Sequence, residues 1–281
     1  MQTDSVRPCF LTDLWSPADP TSYKVHFARW NAQNQPLHVL ARSFEEWRGW
    51  QEFYPGKNDF NRVRIFSLAQ VLSAKDRWVF GGIWQVEGQG ERQDGTPFYR
   101  VRLADELRSL YARLKVRHVH KSRGTRLNLE NHLRDMVISE ILPEPYTGRP
   151  FPGYDSVNLS FQEIEGLMAN SRRDWATALR HVKGVYLITH TGRSQRYVGS
   201  AYGETGIWSR WAQYIQTGHG GNLELRRLVR QEGIEECRQH FRFTLLEHLP
   251  ARTEDSVVIA RENYWKEVLN TRDVEAGLNR N

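Results

Sequence analysis

The sequence predicts an α+β protein in two parts: a mixed, β-rich N-terminal domain and a small C-terminal unit on a three-stranded antiparallel sheet. Three observations lead there. β-type runs dominate residues 1–142, a proline-dense stretch occupies 143–156, and the last third reads strand, strand, helix, helix, strand, helix. The expected division is 1–142, a connector with helices over 143–183, and a compact unit over 184–281.

In the first part, YKVHFARW, RVRIFSL, WVFGGIWQVEG and FYRVRL are rich in aromatic and β-branched residues. Turn signals such as YPGKND, GQGERQDG and KSRGTR punctuate them. ADELRSLYARL reads as a short helix. NLENHLRDMVISEIL places Leu129, Leu133, Met136, Val137 and Ile141 at helical spacing. A curled sheet or barrel with flanking helices is the expected outcome. Six tryptophans (Trp15, Trp30, Trp47, Trp50, Trp78, Trp84) fall in the first 84 residues. Aromatics usually fill cores, but they also wall stacking pockets for bases. Trp30, Trp47, Trp50 and Trp84 are the candidate walls.

The net charge is +6 and the pI about 9.4, a mild bias towards polyanionic partners. Its densest expression is ARLKVRHVHKSRGTR, residues 112–126. Alternation there puts Arg113, Lys115 and Arg117 on one strand face and Leu114 and Val116 on the other. With Lys121 and Arg123, these form either a phosphate-contacting stripe or a solvated edge blunted by charge. No apolar run approaches a membrane-spanning length, and MQTDSVRPCF has no signal-type apolar core. The two cysteines, Cys9 and Cys237, lie far apart without metal-type spacing, which fits a reducing, cytoplasmic setting.

PEPYTGRPFPGYDS holds four of the eleven prolines. Its aromatics mark it as a connector that packs on something. Ser160 and Glu163 then form a capping box that opens a helix, and SRRDWATALR reads as another.

The C-terminal unit begins with GVYLITHTGRSQRYVGS, residues 184–200. An even link between the two β runs projects Tyr186 and Tyr197 from one sheet face. Their hydroxyls are candidate donors, acceptors or proton acceptors, and Gly184 and Gly199 permit close approach. Tyrosine is also simply a good strand residue. Arg210 follows in the next helix with Tyr214 one turn on, and its guanidinium suits a phosphate. In the last helix Glu262 interrupts the apolar stripe of Val258, Trp265 and Leu269. A carboxylate there must be paired, capped or bound to a metal. Asn279 lies in GLNRN at the chain end.

At these residues the sequence resembles the GIY-YIG nuclease family. Gly184-Val185-Tyr186 stands for GIY and Tyr197-Val198-Gly199 for YIG. Arg210 matches the family's helix arginine, Glu262 its single metal-binding glutamate, and Asn279 its terminal asparagine. The resemblance spans residues 184–281 and implies a small α/β-sandwich that hydrolyses phosphodiesters with one Mg²⁺ or Mn²⁺ per site on Glu262. It implies Tyr186 as general base and Tyr197 as the group that orients water or phosphate. The first half resembles, in outline only, the PUA-like β-barrels, a group that includes readers of modified bases. Together these imply a DNA endonuclease of a modification-dependent restriction kind. A structure-directed repair or single-strand nuclease and a non-catalytic nucleic-acid binder are the competing classes. One site per chain implies a homodimer or two visits for a duplex break.

Overall fold

The computed structural model describes residues 7–72, 74–273 and 277–279. The chain divides into two compact units, Met1–Tyr146 and Thr147–Asn281. Among the described residues no helix is long and apolar enough to cross a membrane.

The first unit carries helix α1 (Leu11–Leu14) and strand β1 (Tyr23–Ala28), then α2 (Pro36–Arg42) and α3 (Phe44–Glu52). Strands β2 (Arg64–Val71), β3 (Ala74–Glu91), β4 (Pro97–Leu103), β5 (Leu114–Arg117), β6 (Arg126–Asn128) and β7 (Val137–Ile141) follow. They form one sheet in the order β6-β1-β2-β3-β5-β7, and β4 also pairs with β3. β1 and β2 run parallel, because the α2–α3 segment carries the chain back between them. The long β3 pairs β5 through Arg77–Val79 and β4 from Trp84 onward. Ser43 caps α3 by accepting from the Glu46 amide, and α3 buries Trp47 and Gln51 one turn apart.

Two helices expected here do not form. ADELRSLYARL yields only a 3₁₀ turn at Arg108–Leu110, flanked by Leu107 and Ala112 at positive φ, where a right-handed helix stops. NLENHLRDMVISEIL becomes two 3₁₀ turns, Leu129–Asn131 and Leu133–Asp135, followed by β7. The apolar spacing was real, since Leu129, Leu133 and Met136 are buried. Tight turns satisfy the same spacing, and the backbone of 137–141 pairs with the open edge of β5.

The second unit contains β8 (Asn158–Ser160), α4 (Phe161–Ala169), α5 (Arg173–Arg180), β9 (Val182–His190) and β10 (Gln195–Ala201). It continues with α6 (Gly206–Thr217), α7 (Leu223–Glu232), α8 (Ile234–His240), β11 (Phe241–Pro250) and α9 (Asp255–Val268). The sheet has the order β10-β9-β11-β8 and is antiparallel throughout. It has four strands rather than the expected three, because Asn158–Ser160 adds to the β11 edge. Much of 143–183 is therefore part of this unit. The Ser160–Glu163 capping box opens α4, and Phe161, Ile164, Trp175 and Leu179 enter its core. The proline-rich segment packs along it: the Trp175 indole donates to Arg149 O at 2.8 Å, and the Tyr154 hydroxyl donates to Ala178 O at 3.0 Å.

Candidate active site

The hairpin of β9 and β10 pairs Tyr186 with Gly199 and Tyr197 with Ile188. Its link, residues 191–194, has the even count that places both tyrosines on one face. Gly199 is required by contact. A Cβ there would lie 2.7 Å from the Tyr186 hydroxyl oxygen and 2.8 Å from Tyr197 Cε1. The Gly-x-Tyr and Tyr-x-Gly triplets thus interlock across the pair.

Tyr186 and Tyr214 are both buried, with their hydroxyls 3.1 Å apart. Arg210 donates from Nε to the Tyr186 hydroxyl at 3.1 Å, and its guanidinium lies over the Tyr214 ring. Its Nη1 donates to Gln213 Oε1 and Gly220 O at 2.7 and 2.8 Å, while Nη2 makes a longer 3.5 Å contact with the Tyr214 hydroxyl. Burial pushes the Tyr186 and Tyr214 hydroxyls above the usual phenol range. Burial works against the Arg210 charge too, but the facing oxygens of Tyr186 and Tyr214 outweigh it and hold its pKa up. The result is a fixed cation braced by two neutral phenols.

A cavity of ≈ 620 Å³ opens beside this cluster, lined by Tyr197, Ser200, Arg210, Gln213, Glu262 and Lys266 among others. Glu262, on α9, accepts from the Ser200 hydroxyl through Oε2 and pairs with Lys266 Nζ through Oε1 at 2.8 Å. Lys266 is only 4% exposed. The buried side of α9 therefore contains an ion pair within its apolar stripe, which answers the expectation that Glu262 needs a partner. Lys266 was legible as the i+4 neighbour of Glu262. Ser200 follows the YVG triplet but carries no sequence signal of its own.

The donor set suits a hard divalent cation. A carboxylate and a hydroxyl meet at the wall of an open, polar cavity that already attracts a cationic side chain, and Mg²⁺ takes few protein oxygens and retains water. Among the described residues no group of three or more His, Cys, Asp or Glu gathers into a chelating cluster; Glu262 is the carboxylate on the lining of this cavity.

Asn279 sits against the sheet. It is buried; its Nδ2 donates to Val198 O at 2.8 Å and its Oδ1 accepts from Val198 N at 2.9 Å. Both ends of the amide are spent on the free edge of β10, beside a Leu278 N–H that donates to Arg196 O. Tyr214 and Tyr186 likewise lie outside the cavity lining, whereas Tyr197 lies on it.

The candidate nucleic-acid residues of the first unit divide. Arg117, Lys121 and Arg123 are exposed. Arg113 is spent on Leu142 O and Ser109 O, and Lys115 on Glu140 at 2.7 Å. Of the tryptophans, Trp47 and Trp84 are core residues and cannot wall a pocket. Both are fully buried, and both indole nitrogens donate to Gly81 O. Trp30 and Trp50 do share a cavity, of ≈ 900 Å³, which Phe53 also lines.

No family model matches the chain. Over 90 residues, 32% of its length, the chain is 31% identical to intron-associated endonuclease 1 of Enterobacteria phage T4, and it spans 34% of that relative. Two solved structures also match. One is a point variant of the catalytic domain of intron endonuclease I-TevI, at 27% identity, covering 36% of this chain and 94% of that one. The other is the catalytic domain of homing endonuclease I-TevI, at 30% identity, covering 34% and 96% respectively; the TM-score is 0.27 for both. With the interlocked Gly-Val-Tyr and Tyr-Val-Gly triplets, the braced Arg210 and the glutamate on α9, this sequence identity places the C-terminal part of the chain in the GIY-YIG nuclease family.

Proposed function

We propose that the chain is a divalent-metal-dependent endonuclease that cleaves DNA at the cavity of the second unit, with the first unit selecting modified target. The observation that carries the first half of this reading is the convergence of Tyr197, Ser200, Arg210 and Glu262 on one open cavity. Arg210 enters the reaction already oriented, since Nε and Nη1 are held; Nη2 is the nitrogen left to meet a phosphoryl oxygen. Its charge offsets the negative charge that builds on the phosphoryl group as water attacks. Tyr197, on the cavity wall, takes the proton of the attacking water as a phenolate and becomes the neutral phenol, while Tyr186 and Tyr214 act through Arg210 by fixing its position. Glu262 would hold one Mg²⁺ or Mn²⁺, which would supply Lewis-acid charge for the phosphate. Ser200 keeps the Glu262 carboxylate turned towards the cavity. The water oxygen joins phosphorus, the P–O3′ bond breaks, and the products carry a 5′-phosphate and a 3′-hydroxyl. A duplex break takes a homodimer or two successive visits. The two free cysteines, one of them buried, accord with action in the cytoplasm.

The test is incubation of the full chain with plasmid, with duplexes carrying different base modifications, with single strands and with RNA, with and without Mg²⁺. Metal-dependent cutting of modified duplex that disappears in Arg210→Ala is the expected result. Metal-dependent cutting of modified and unmodified duplex alike removes the selective role of the first unit. No cutting of any DNA removes the nuclease reading.

A further inference from the structure

The ≈ 900 Å³ cavity of the first unit has the chemistry of a base pocket. Trp30 and Phe53, both on its lining, are 61% and 59% exposed. Large aromatic faces left open beside a cavity are costly unless something covers them. Trp50 joins them from α3. Arg126 lines the same cavity, with its guanidinium 4.3 Å above the Phe60 ring and 5.4 Å from that of Phe53. Its Nη1 is buried without a hydrogen-bond partner. The residue borders the cavity, where a ligand acceptor would meet a guanidinium that burial has already stripped of part of its water.

A neighbouring acceptor is fixed by a short chain of hydrogen bonds. Gln51 spends its Nε2 on Trp47 O at 3.2 Å, so its Oε1, 2.8 Å from His26 Nδ1, must be the acceptor of that contact. His26 therefore carries its proton on Nδ1, and its Nε2 is left as a lone-pair acceptor. Burial, and then the Arg126 charge, push the His26 pKa down to about 3, so the ring stays neutral. Asp59 adds a carboxylate to the same lining. The polar part of the cavity thus offers acceptors beside an unsatisfied donor, below aromatic walls.

We propose that this cavity takes one nucleobase extruded from DNA, of the class that presents an exocyclic amine next to a ring-nitrogen acceptor, as cytosine and adenine do and thymine does not. The amine donates to His26 or Asp59 and the ring nitrogen accepts from Arg126. Trp30 and Phe53 stack on the base. The volume lies near the upper end for small-molecule sites and leaves room for a substituent on the ring. This inference rests on the reading of the first unit as the selector of modified target and names what it selects.

The test measures binding by the full chain in EDTA, so that cleavage does not enter. Labelled duplexes carry one mispaired cytosine, 5-hydroxymethylcytosine or thymine, since a mispaired base is cheap to extrude. Both cytosines should bind about tenfold tighter than thymine, with the substituted one at least equal to the plain one. Trp30→Ala should abolish the preference. Gly49→Phe is the second variant: Gly49 lines the cavity from within α3, and a Cβ there meets nothing within 4 Å, so a ring plugs the space without disturbing the core. It should equalise the affinities with an unchanged melting temperature. Equal affinity for the three bases in the unmodified protein, or a preference that survives Gly49→Phe, would overturn the proposal. The same preference for RNA strands, lost in Gly49→Phe, would overturn its assignment to DNA. Absence of Mg²⁺-dependent cleavage would sink the nuclease reading and leave this binding result standing.

Discussion

Asn279→Ala removes an amide that grips the Val198 backbone at both its donor and its acceptor, 2.9 and 2.8 Å away. Val198 is fully buried and lies on the outer edge of β10, where no strand supplies substitutes. Each buried backbone group left unpaired costs about 1–3 kcal/mol, so the variant, which strands two, should lose roughly 2–6 kcal/mol of stability in total. Val198 lies between Tyr197 and Gly199, so loosening this edge also loosens the Tyr197 ring at the cavity. Urea unfolding followed by tryptophan fluorescence should register the loss, and the Val198 amide should exchange faster with solvent. Asn279→Asp keeps an acceptor for Val198 N but sets a carboxylate oxygen against Val198 O, and should not rescue. Cleavage should fall in both variants because the strand is unsettled. If Asn279→Ala abolished cleavage while leaving stability and Val198 protection unchanged, the amide would be acting on substrate and the clamp argument would fail.

Glu262→Gln should end Mg²⁺-dependent cleavage and also cost about 3–5 kcal/mol, because Lys266 is left buried without its carboxylate; adding Lys266→Met should restore stability but not cleavage, and recovery of cleavage in the double variant would refute the role of Glu262. Tyr197→Phe should slow cleavage about 10²-fold or more with DNA binding unchanged, and Tyr186→Phe should slow it less while lowering stability through the lost Arg210 contact; the reverse ranking, at unchanged stability, would make Tyr186 the proton acceptor. His26 is neutral in the fold with its pKa lowered to about 3, so the unfolded chain binds the extra proton as pH falls below about 6.5. Stability should therefore drop by about 2 kcal/mol between pH 8 and pH 5 from this group alone, and urea titrations of His26→Gln should show a flatter pH slope; an unchanged slope would place the titration elsewhere.

Local pattern was enough for much of the second unit. The Ser160–Glu163 capping box, the alternation in GVYLIT and RYVGS and the even hairpin link act between residues close in sequence, so the sequence by itself determined helix α4, the hairpin and the common face of its tyrosines. Glu262 was conspicuous for the same reason, as a charge at an apolar position of one helix. The tertiary structure decided what depends on distant partners. Asn279 reads as a polar residue near the chain end, and only the β10 edge turns it into a backbone clamp. The segment 137–141 has a spacing that suits a helix or a strand, and the unpaired β5 edge chose the strand. Trp47 and Trp84 cannot be told from Trp30 and Trp50 by composition. Packing against the Gly81 backbone buries the first two, while the other two border a cavity. Basic residues divide in the same way: alternation puts Arg113, Lys115 and Arg117 on one face, but which of them remain open to a phosphate depends on Glu140 and the Leu142 carbonyl, brought in by the neighbouring strand and the turn after it. Periodicity reports which face of an element is apolar; only folding sets which groups meet across the space between elements, and there hydrogen bonds and ion pairs are won or lost.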